Sequence, residues 1–454
     1  MKTYTLLIGM IILTMWSCEK SIDVDFPNTQ IDVTQVFENV STADGALSNL
    51  YAEMYNFSVL NGGTAGTGAL LGSYTDDLTC YMAASLGGAP DIYNNQQIPS
   101  NSVIKNLWAN SYKEIYLANS IIIGVNSSSG IGIKDKNRIK GEALFLRSLI
   151  YFYLSQIFGD VPYVTTTDYT VNQKIGKTSY QDLNGFIHND LALSIDLLED
   201  NYRHSDRIYP NKKVVQLLRA IIYMHENKWS DAELLLKDIK NSTLYSWEAD
   251  VSKTFKKTGK HILWQFKPLQ ANQPTNEAAM YYFTTAAPTG YALSNSLINS
   301  FELTDMRLQK WITKMTINQN VFYRCNKYVN VINNTDEYSI LFRLEEVNLL
   351  LAESLVRQDR REEALPFINA VRQRAGISNL GLLSNEQILE ELLKENRREF
   401  FAEKGNRFLT LKRFGKLDNL SPVKPNWKTF HKLWPVPLSD ISLNPNLNPQ
   451  NSGY

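Results

Sequence analysis

Residues 142–162 read Glu142-Ala-Leu-Phe-Leu-Arg-Ser-Leu-Ile-Tyr-Phe-Tyr-Leu-Ser-Gln-Ile-Phe-Gly-Asp-Val-Pro162, and this stretch indicates the fold class of the 454-residue chain. It forms most of a densely apolar segment, from Lys136 to Phe158, that is far longer than a typical β-strand. Gly159 follows the last apolar residue and Pro162 stands three residues later, which is the usual way a helix ends. The segment therefore predicts a long, largely buried helix.

Helical periodicity continues on both sides of this segment. Ala220 and Ala232 have the same spacing as Ala352 and Ala364, and each pair brackets a polar turn between two amphipathic helices. A small residue on each helix lets two backbones approach closely, as in tetratricopeptide-like hairpins. We therefore expect a mainly α fold, with a tetratricopeptide-like helical-hairpin scaffold, long irregular loops and little β structure. The other predicted helices are Thr34–Tyr55, Val103–Val125, Tyr180–Leu198, Lys212–Asn227, Ser230–Ile239, Ser339–Gln358, Arg361–Ala375 and Asn385–Gly405.

Two long segments interrupt the helical pattern. One is rich in Gly, Asn, Ser, Thr and Tyr, and the other is poorly periodic apart from a possible strand at His261–Phe266. Loops of this length are often functional. From Ser421 the chain is rich in Pro and Asn, which predicts an extended tail on the surface. We expect one domain at 33–454, with scaffold helices at about 33–57, 103–240 and 339–415 and ligand-side loops at about 58–102 and 244–335.

The N-terminus has the features of a lipoprotein signal. Lys2 precedes an apolar stretch that is too short to span a bilayer, and this stretch ends at Met15-Trp16-Ser17-Cys18. A small residue directly before a cysteine resembles a bacterial lipobox. We expect residues 1–17 to be a signal peptide, Cys18 to carry the lipid, and residues 18–32 to be a tether. Cys80 and Cys325 could pair or remain free thiols.

Composition and motifs argue against several functions. Lys and Arg number 46 and Asp and Glu also 46, so no net charge attracts nucleic acid. The five histidines are scattered, and neither phosphate-binding glycine pattern is complete in residues 62–72, so no cofactor or metal is expected. Asp76 and Asp77 form a carboxylate pair within the first loop segment. Adjacent residues in a strand point to opposite faces, so a loop-bonding role is the stronger interpretation, and no catalytic residue is predicted.

Several motifs, in chain order, resemble the SusD/RagB family of Bacteroidetes outer-membrane nutrient-binding lipoproteins. They are the helix at Glu142–Pro162, Asp305-Met-Arg307, the charged segment Arg397–Arg413, Leu433-Trp-Pro-Val-Pro437, and the ending Asn444–Tyr454. Thr410 and Ser452 depart from the usual residues, Asp and Pro, at scaffold positions. From the residues alone, the charges of Glu395–Arg413 are expected to form i,i+4 pairs along a helix and to buttress neighbouring elements, while Phe400, Phe401, Phe408 and Leu411 face the core.

The resemblance implies a surface-exposed protein that is anchored in the outer membrane through Cys18. It implies capture of an oligosaccharide or a peptide, and transfer of this nutrient to a SusC-like TonB-dependent β-barrel transporter. The protein would not be an enzyme. The alternatives are a helical-repeat adaptor that binds only protein, and a secreted glycoside hydrolase.

Aromatic rings stack on the apolar faces of sugars, while Asp and Asn bond their hydroxyl groups. Trp108 is expected in the core, whereas the positions of Trp264 and Trp311 are undecided. The candidate ligand-binding residues, all from the two loop segments, are Tyr74, Asp76, Asp77, Tyr81, Tyr93, Asn94, Asn95, Tyr281 and Tyr282.

Overall fold

A computed structural model describes residues 33–454, so Cys18 and the predicted signal and tether lie outside the described residues. The α-helices are α1 (Val33–Val36), α2 (Val40–Phe57), α3 (Thr67–Tyr74), α4 (Ala89–Tyr93), α5 (Ser102–Ser127), α6 (Ile133–Phe158), α7 (Tyr169–Asn172), α8 (Tyr180–Leu197), α9 (Lys212–His225), α10 (Trp229–Lys240), α11 (Asn276–Tyr281), α12 (Asn295–Ile298), α13 (Met306–Lys310), α14 (Leu344–Val356), α15 (Arg361–Arg374), α16 (Asn385–Phe400), α17 (Asn406–Arg413) and α18 (Leu438–Leu443). The strands are β1 (Leu78–Cys80), β2 (Ile262–Phe266), β3 (Tyr291–Leu293), β4 (Ile312–Ile317), β5 (Asn320–Cys325) and β6 (Ser339–Arg343).

The helical scaffold is a row in which α2, α5, α6, α8, α9, α10, α14, α15 and α16 each pack against the next. Helix α6 is buried along almost its whole length after Ile139, and it is followed directly by Gly159, whose φ of 76° requires glycine. The four alanines that share one spacing are all fully buried within α9, α10, α14 and α15. The predicted mainly α, tetratricopeptide-like fold class is confirmed.

One predicted helix begins with a strand. Residues Ser339–Arg343 form β6, which pairs antiparallel with β2, and α14 begins only at Leu344. Every residue of both strands is buried. A continuous apolar run fits a buried strand and a buried helix equally well, so periodicity could not separate the two. The strand predicted at His261–Phe266 is confirmed as β2, and Trp264 within it is buried.

The two segments predicted as loops contain more regular structure than expected. They form an antiparallel four-stranded sheet with the strand order β1-β3-β5-β4, and residues 58–102 also contain helices α3 and α4. Strands β4 and β5 form a tight hairpin, but β1 lies more than two hundred residues before its partner β3, so no local pattern reveals that pairing. A second hydrophobic core lies under this sheet and includes Leu78, Tyr291, Leu293, Trp311 and Cys325.

The chain from Ser421 onward packs more closely than predicted. Trp434 is fully buried, and its backbone amide donates to the Ile157 carbonyl at the end of α6 at 2.7 Å. The hydroxyl of Tyr454 accepts a hydrogen bond from Gln97 at 2.7 Å. The predicted extended surface tail is therefore wrong, because its aromatic residues complete the core. None of the helices within residues 33–454 has the length and apolar character needed to cross a bilayer.

The charged segment before Arg413 joins the scaffold to the second core. The buried Glu399 carboxylate accepts from Arg343 and Arg374 at 2.5 Å each and from Arg307 at 3.0 Å. Burial raises the pKa of Glu399, but the three guanidinium groups outweigh it and hold this pKa well below its ordinary value. These partners come from α13, β6 and α15, so the expected buttressing of neighbouring elements is confirmed, and Arg398 also bonds Glu395 within α16 at 3.1 Å. The four apolar residues predicted to face the core are buried as expected.

Candidate ligand-binding site

The four-stranded sheet has one face on the second core and one face directed away from it. In β5, Tyr323 and Cys325 pack toward the core, so the alternate residues Phe322 and Arg324 lie on the opposite face. Tyr81 follows β1, and its backbone amide donates to the Gly290 carbonyl at 2.7 Å. We call this side the outer face and define it by Tyr81, Tyr282, Phe283, Phe322 and Arg324.

The rings of the outer face contact one another edge to face. The centroids of Tyr81 and Phe322 are 5.5 Å apart with the ring planes at 73°, and those of Phe283 and Phe322 are 6.4 Å apart with the planes at 82°. The Arg324 guanidinium lies 5.2 Å from the Tyr282 ring centroid. Tyr81 and Tyr282 are 39% and 49% exposed. The rings therefore form a stepped aromatic surface that is open to solvent.

Tyr93 and Asn94 lie beside this surface, at the end of α4. Burial and the neighbouring Tyr93 hydroxyl raise the pKa of Tyr81. The Lys424 ammonium donates to the Tyr93 carbonyl at 2.7 Å and lies 4.0 Å from the centroid of its ring. Burial lowers the pKa of Lys424 to about 7. Asn94 is exposed, and its carbonyl accepts from Asn426 at 2.9 Å. Four of the predicted ligand residues thus remain accessible near the outer face: Tyr81, Tyr93, Asn94 and Tyr282.

Three other predicted ligand residues are buried. Tyr74 has no exposed surface, and its hydroxyl donates to the His431 carbonyl at 2.9 Å. The Asn95 amide donates to the Tyr74 carbonyl at 3.1 Å, and Tyr281 is 2% exposed within the second core. A ring without exposed surface cannot stack on a sugar. The prediction of Tyr74, Asn95 and Tyr281 as ligand contacts is therefore corrected, because these side chains hold the loops together.

The carboxylates of Asp76 and Asp77 form ion pairs with arginines. Arg397 bonds Asp76 at 2.8 Å and Asp77 at 2.8 Å, and Arg407 bonds Asp76 at 2.9 Å. Burial raises the pKa of Asp76, but Arg397 and Arg407 outweigh it and lower this pKa, whereas burial keeps the pKa of Asp77 raised. Asp77 is 1% exposed, so no substrate bond can lie between the two carboxylates. Their prediction as ligand partners is corrected to a structural role.

The structure also describes the two cysteines and the surroundings of the potential metal ligands within residues 33–454. No three His, Cys, Asp or Glu side chains in this range converge as a metal site would require. Cys80 and Cys325 are free thiols, and burial raises the pKa of Cys325 to about 11.

Two family models match this chain. Residues 21–224 match the family described as "Starch-binding associating with outer membrane", and residues 306–422 match the SusD family. The chain belongs to the SusD/RagB family. A SusD-like protein of Formosa agariphila is 22% identical over an alignment of 520 positions that covers 98% of each chain. The starch-binding protein SusD of Bacteroides thetaiotaomicron is 36% identical over 124 residues, which cover 25% of this chain and 21% of that protein.

Solved SusD-like structures have the same fold. A SusD superfamily protein from Bacteroides vulgatus is 19% identical and superposes with a TM-score of 0.78 over 92% of this chain and all of that chain. The surface glycan-binding protein A of Bacteroides thetaiotaomicron, solved in complex with laminarihexaose, is 17% identical, with a TM-score of 0.76 over 91% of this chain and 99% of that chain.

The outer face of this SusD/RagB family member also contains residues that sequence reasoning missed. Phe283, Phe322 and Arg324 were not among the candidates, and Met315 lies opposite Phe322 in the β4–β5 ladder. The available signal was Asn318, a residue type common in tight hairpin turns, followed by the β-prone run Val321-Phe-Tyr323; Asn318 and Gln319 both have the positive φ of such a turn. This hairpin lies in the segment interpreted as poorly periodic, so its outward-facing residues were not separated from its core residues.

Proposed function

We propose that the outer face binds an oligosaccharide and that the protein captures this ligand without converting it. The observation that carries the proposal is the half-exposed, stepped cluster of Tyr81, Phe322 and Phe283, with Arg324 beside it. A pyranose ring has apolar C–H faces that pack on aromatic rings, while its hydroxyl groups need donors and acceptors at the edge. Asn94 and the Tyr81 and Tyr93 hydroxyls are polar groups near the rings. A similarly folded protein solved with laminarihexaose and another described as laminarin-binding support this ligand class.

The test is calorimetric titration of residues 19–454 with a panel of oligosaccharides and peptides, with each mixture assayed for products. Tyr81→Ala and Phe322→Ala should each weaken glycan binding about tenfold, which is about 1.4 kcal/mol. The matched control is Tyr169→Ala, because this tyrosine is 73% exposed on α7, in the helical part of the chain. Equal affinity of Tyr81→Ala and Tyr169→Ala would contradict the proposed site. Product formation would indicate a hydrolase, and binding of peptides alone would change the ligand class.

We further propose that the protein is anchored in the outer membrane through lipidated Cys18 and delivers its ligand to a SusC-like TonB-dependent transporter. The lipobox-like sequence before Cys18 supports the anchor, and membership of the SusD/RagB family supports the partnership. Cys18→Ser should abolish incorporation of labelled fatty acid and release the protein from outer-membrane fractions. Crosslinking in intact cells should capture a β-barrel transporter. A transporter complex without any glycan affinity would favour the adaptor alternative.

A further inference from the structure

Arg324 is an arginine whose charge is not neutralised by the protein around it. Its guanidinium donates to the Phe283 carbonyl at 3.0 Å and more weakly to the Asn326 side chain at 3.4 Å. Its Nε is buried without a hydrogen-bond partner, and none of the ion pairs within residues 33–454 includes this side chain. Each Nη atom therefore keeps one N–H group without a partner among the described residues.

The surroundings of Arg324 differ from those of the arginines that bond Glu399 and the Asp76–Asp77 pair. The arginines of the charged segment Arg397–Arg413 are surrounded by carboxylates, and Arg397 bonds both Asp76 and Asp77. Arg324 instead lies beside the face of Tyr282, and its cross-strand neighbour is Thr313. Asp76 and Asp77, which precede β1, are held by Arg397 and Arg407 and cannot also serve Arg324. The outer face thus combines stacking rings with an unneutralised cation.

A structural role explains part of this arrangement. The bond from Arg324 to the Phe283 carbonyl holds the chain after α11 against the sheet, and this bond positions Tyr282 and Phe283. A lysine or a glutamine could donate the same hydrogen bond, so this bond alone does not require a planar guanidinium with a permanent charge. The fork of a guanidinium suits carboxylates and sulfate-type anions, which accept two parallel hydrogen bonds.

We propose that the oligosaccharide bound at the outer face carries acidic groups, and that Arg324 binds a carboxylate or sulfate ester of a sugar that stacks on the neighbouring rings. This inference rests on the proposed glycan-binding function and adds the substrate class. Charge complementarity carries it, because an acidic group would supply the partner that Arg324 lacks in the protein. Uronic acids and sulfated sugars offer the same chemistry to the guanidinium, so the test separates these two sources.

The experiment compares acidic oligosaccharides with their neutralised counterparts on residues 19–454. Oligosaccharides from pectin and alginate are paired with carboxyl-reduced forms, and those from carrageenan with desulfated forms. The best acidic ligand should bind at least tenfold more tightly than its counterpart, and added NaCl should reduce this preference. Preference within the carboxylate pairs would identify a uronic acid, and preference within the sulfated pair would identify a sulfate ester.

Three variants attribute the preference to Arg324. Arg324→Gln should remove it, while Arg324→Lys should retain part of it, because a point charge remains without the fork. Arg361→Gln is the matched control, since Arg361 lies on scaffold helix α15. Circular dichroism checks that each variant is folded. Equal binding of charged and neutralised ligands to the native chain, or an unchanged preference in Arg324→Gln, would overturn the inference. Ring-dependent binding without acid preference would leave the proposed function intact, whereas binding of no glycan at all would overturn both.

Discussion

Replacement of Glu399 by glutamine tests whether buried charges hold the scaffold and the sheet together. Glu399 lies on α16 and is the shared partner of Arg307, Arg343 and Arg374, and all four side chains are at most 1% exposed. Glutamine keeps the shape but removes the negative charge and turns an N–H2 group toward a guanidinium. Three buried cations then each lose a charged partner.

The expected loss of stability depends on which charged partners the three arginines keep. Arg307 keeps Asp305, and Arg374 keeps Glu345, so neither becomes fully uncompensated. Breaking a buried ion pair from one side costs about 3–5 kcal/mol, and we expect Glu399→Gln to lower the free energy of unfolding by this amount. The control is Glu390→Gln on the same helix, which loses only a contact with Lys416, a pair 48% and 32% exposed. That loss should stay below about 1 kcal/mol.

The measurement is urea unfolding of the mature chain, followed by circular dichroism and tryptophan fluorescence. The difference in midpoint, multiplied by the slope common to both variants, gives the difference in stability. If Glu399→Gln and Glu390→Gln unfolded within about 1 kcal/mol of each other, the buried cluster would not have the role assigned to it, and the apolar packing of α16 alone would join the two parts.

Two further predictions concern the helical scaffold. Burial lowers the pKa of Lys412, which donates to the Gln156 carbonyl, from 10.5 to about 7, so between these pH values the unfolded chain binds more protons than the folded chain. The free energy of unfolding should therefore rise by roughly 3 kcal/mol from about pH 7 to about pH 9.5, relative to Lys412→Met in parallel urea titrations. An equal pH dependence of both proteins would refute this prediction. Gly130→Ala should destabilise by about 1–3 kcal/mol, because a Cβ there would meet the Glu38 carbonyl oxygen. Gly45→Ala, inside α2 with nothing near its Cβ, should instead stabilise by about 0.5–1 kcal/mol in thermal unfolding, and the same sign for both glycines would contradict this reasoning.

The long helices were predictable because their evidence is local. Helix α6 was predicted at Lys136–Phe158 and ends at Phe158, since a dense apolar run and a terminal Gly159 are both visible in one stretch of sequence. The same local rule failed for β6, where an apolar run is compatible with either a strand or a helix. It also failed for the tail, because the burial of Trp434 depends on its docking against the end of α6.

The candidate site was only partly predictable. The mainly α scaffold and the resemblance to the SusD/RagB family could be inferred from local sequence, as could the position of the two loop segments between the long helices. Which residues of these segments face solvent depends on how distant parts of the chain pack together. Tyr74 and Tyr281 are buried in the core, whereas Tyr81 and Tyr282 lie with Phe322 on the outer face. Helices form from contacts three and four residues apart, whereas the β1–β3 pair of this sheet joins strands more than two hundred residues apart, and such pairing leaves no periodic trace along the chain.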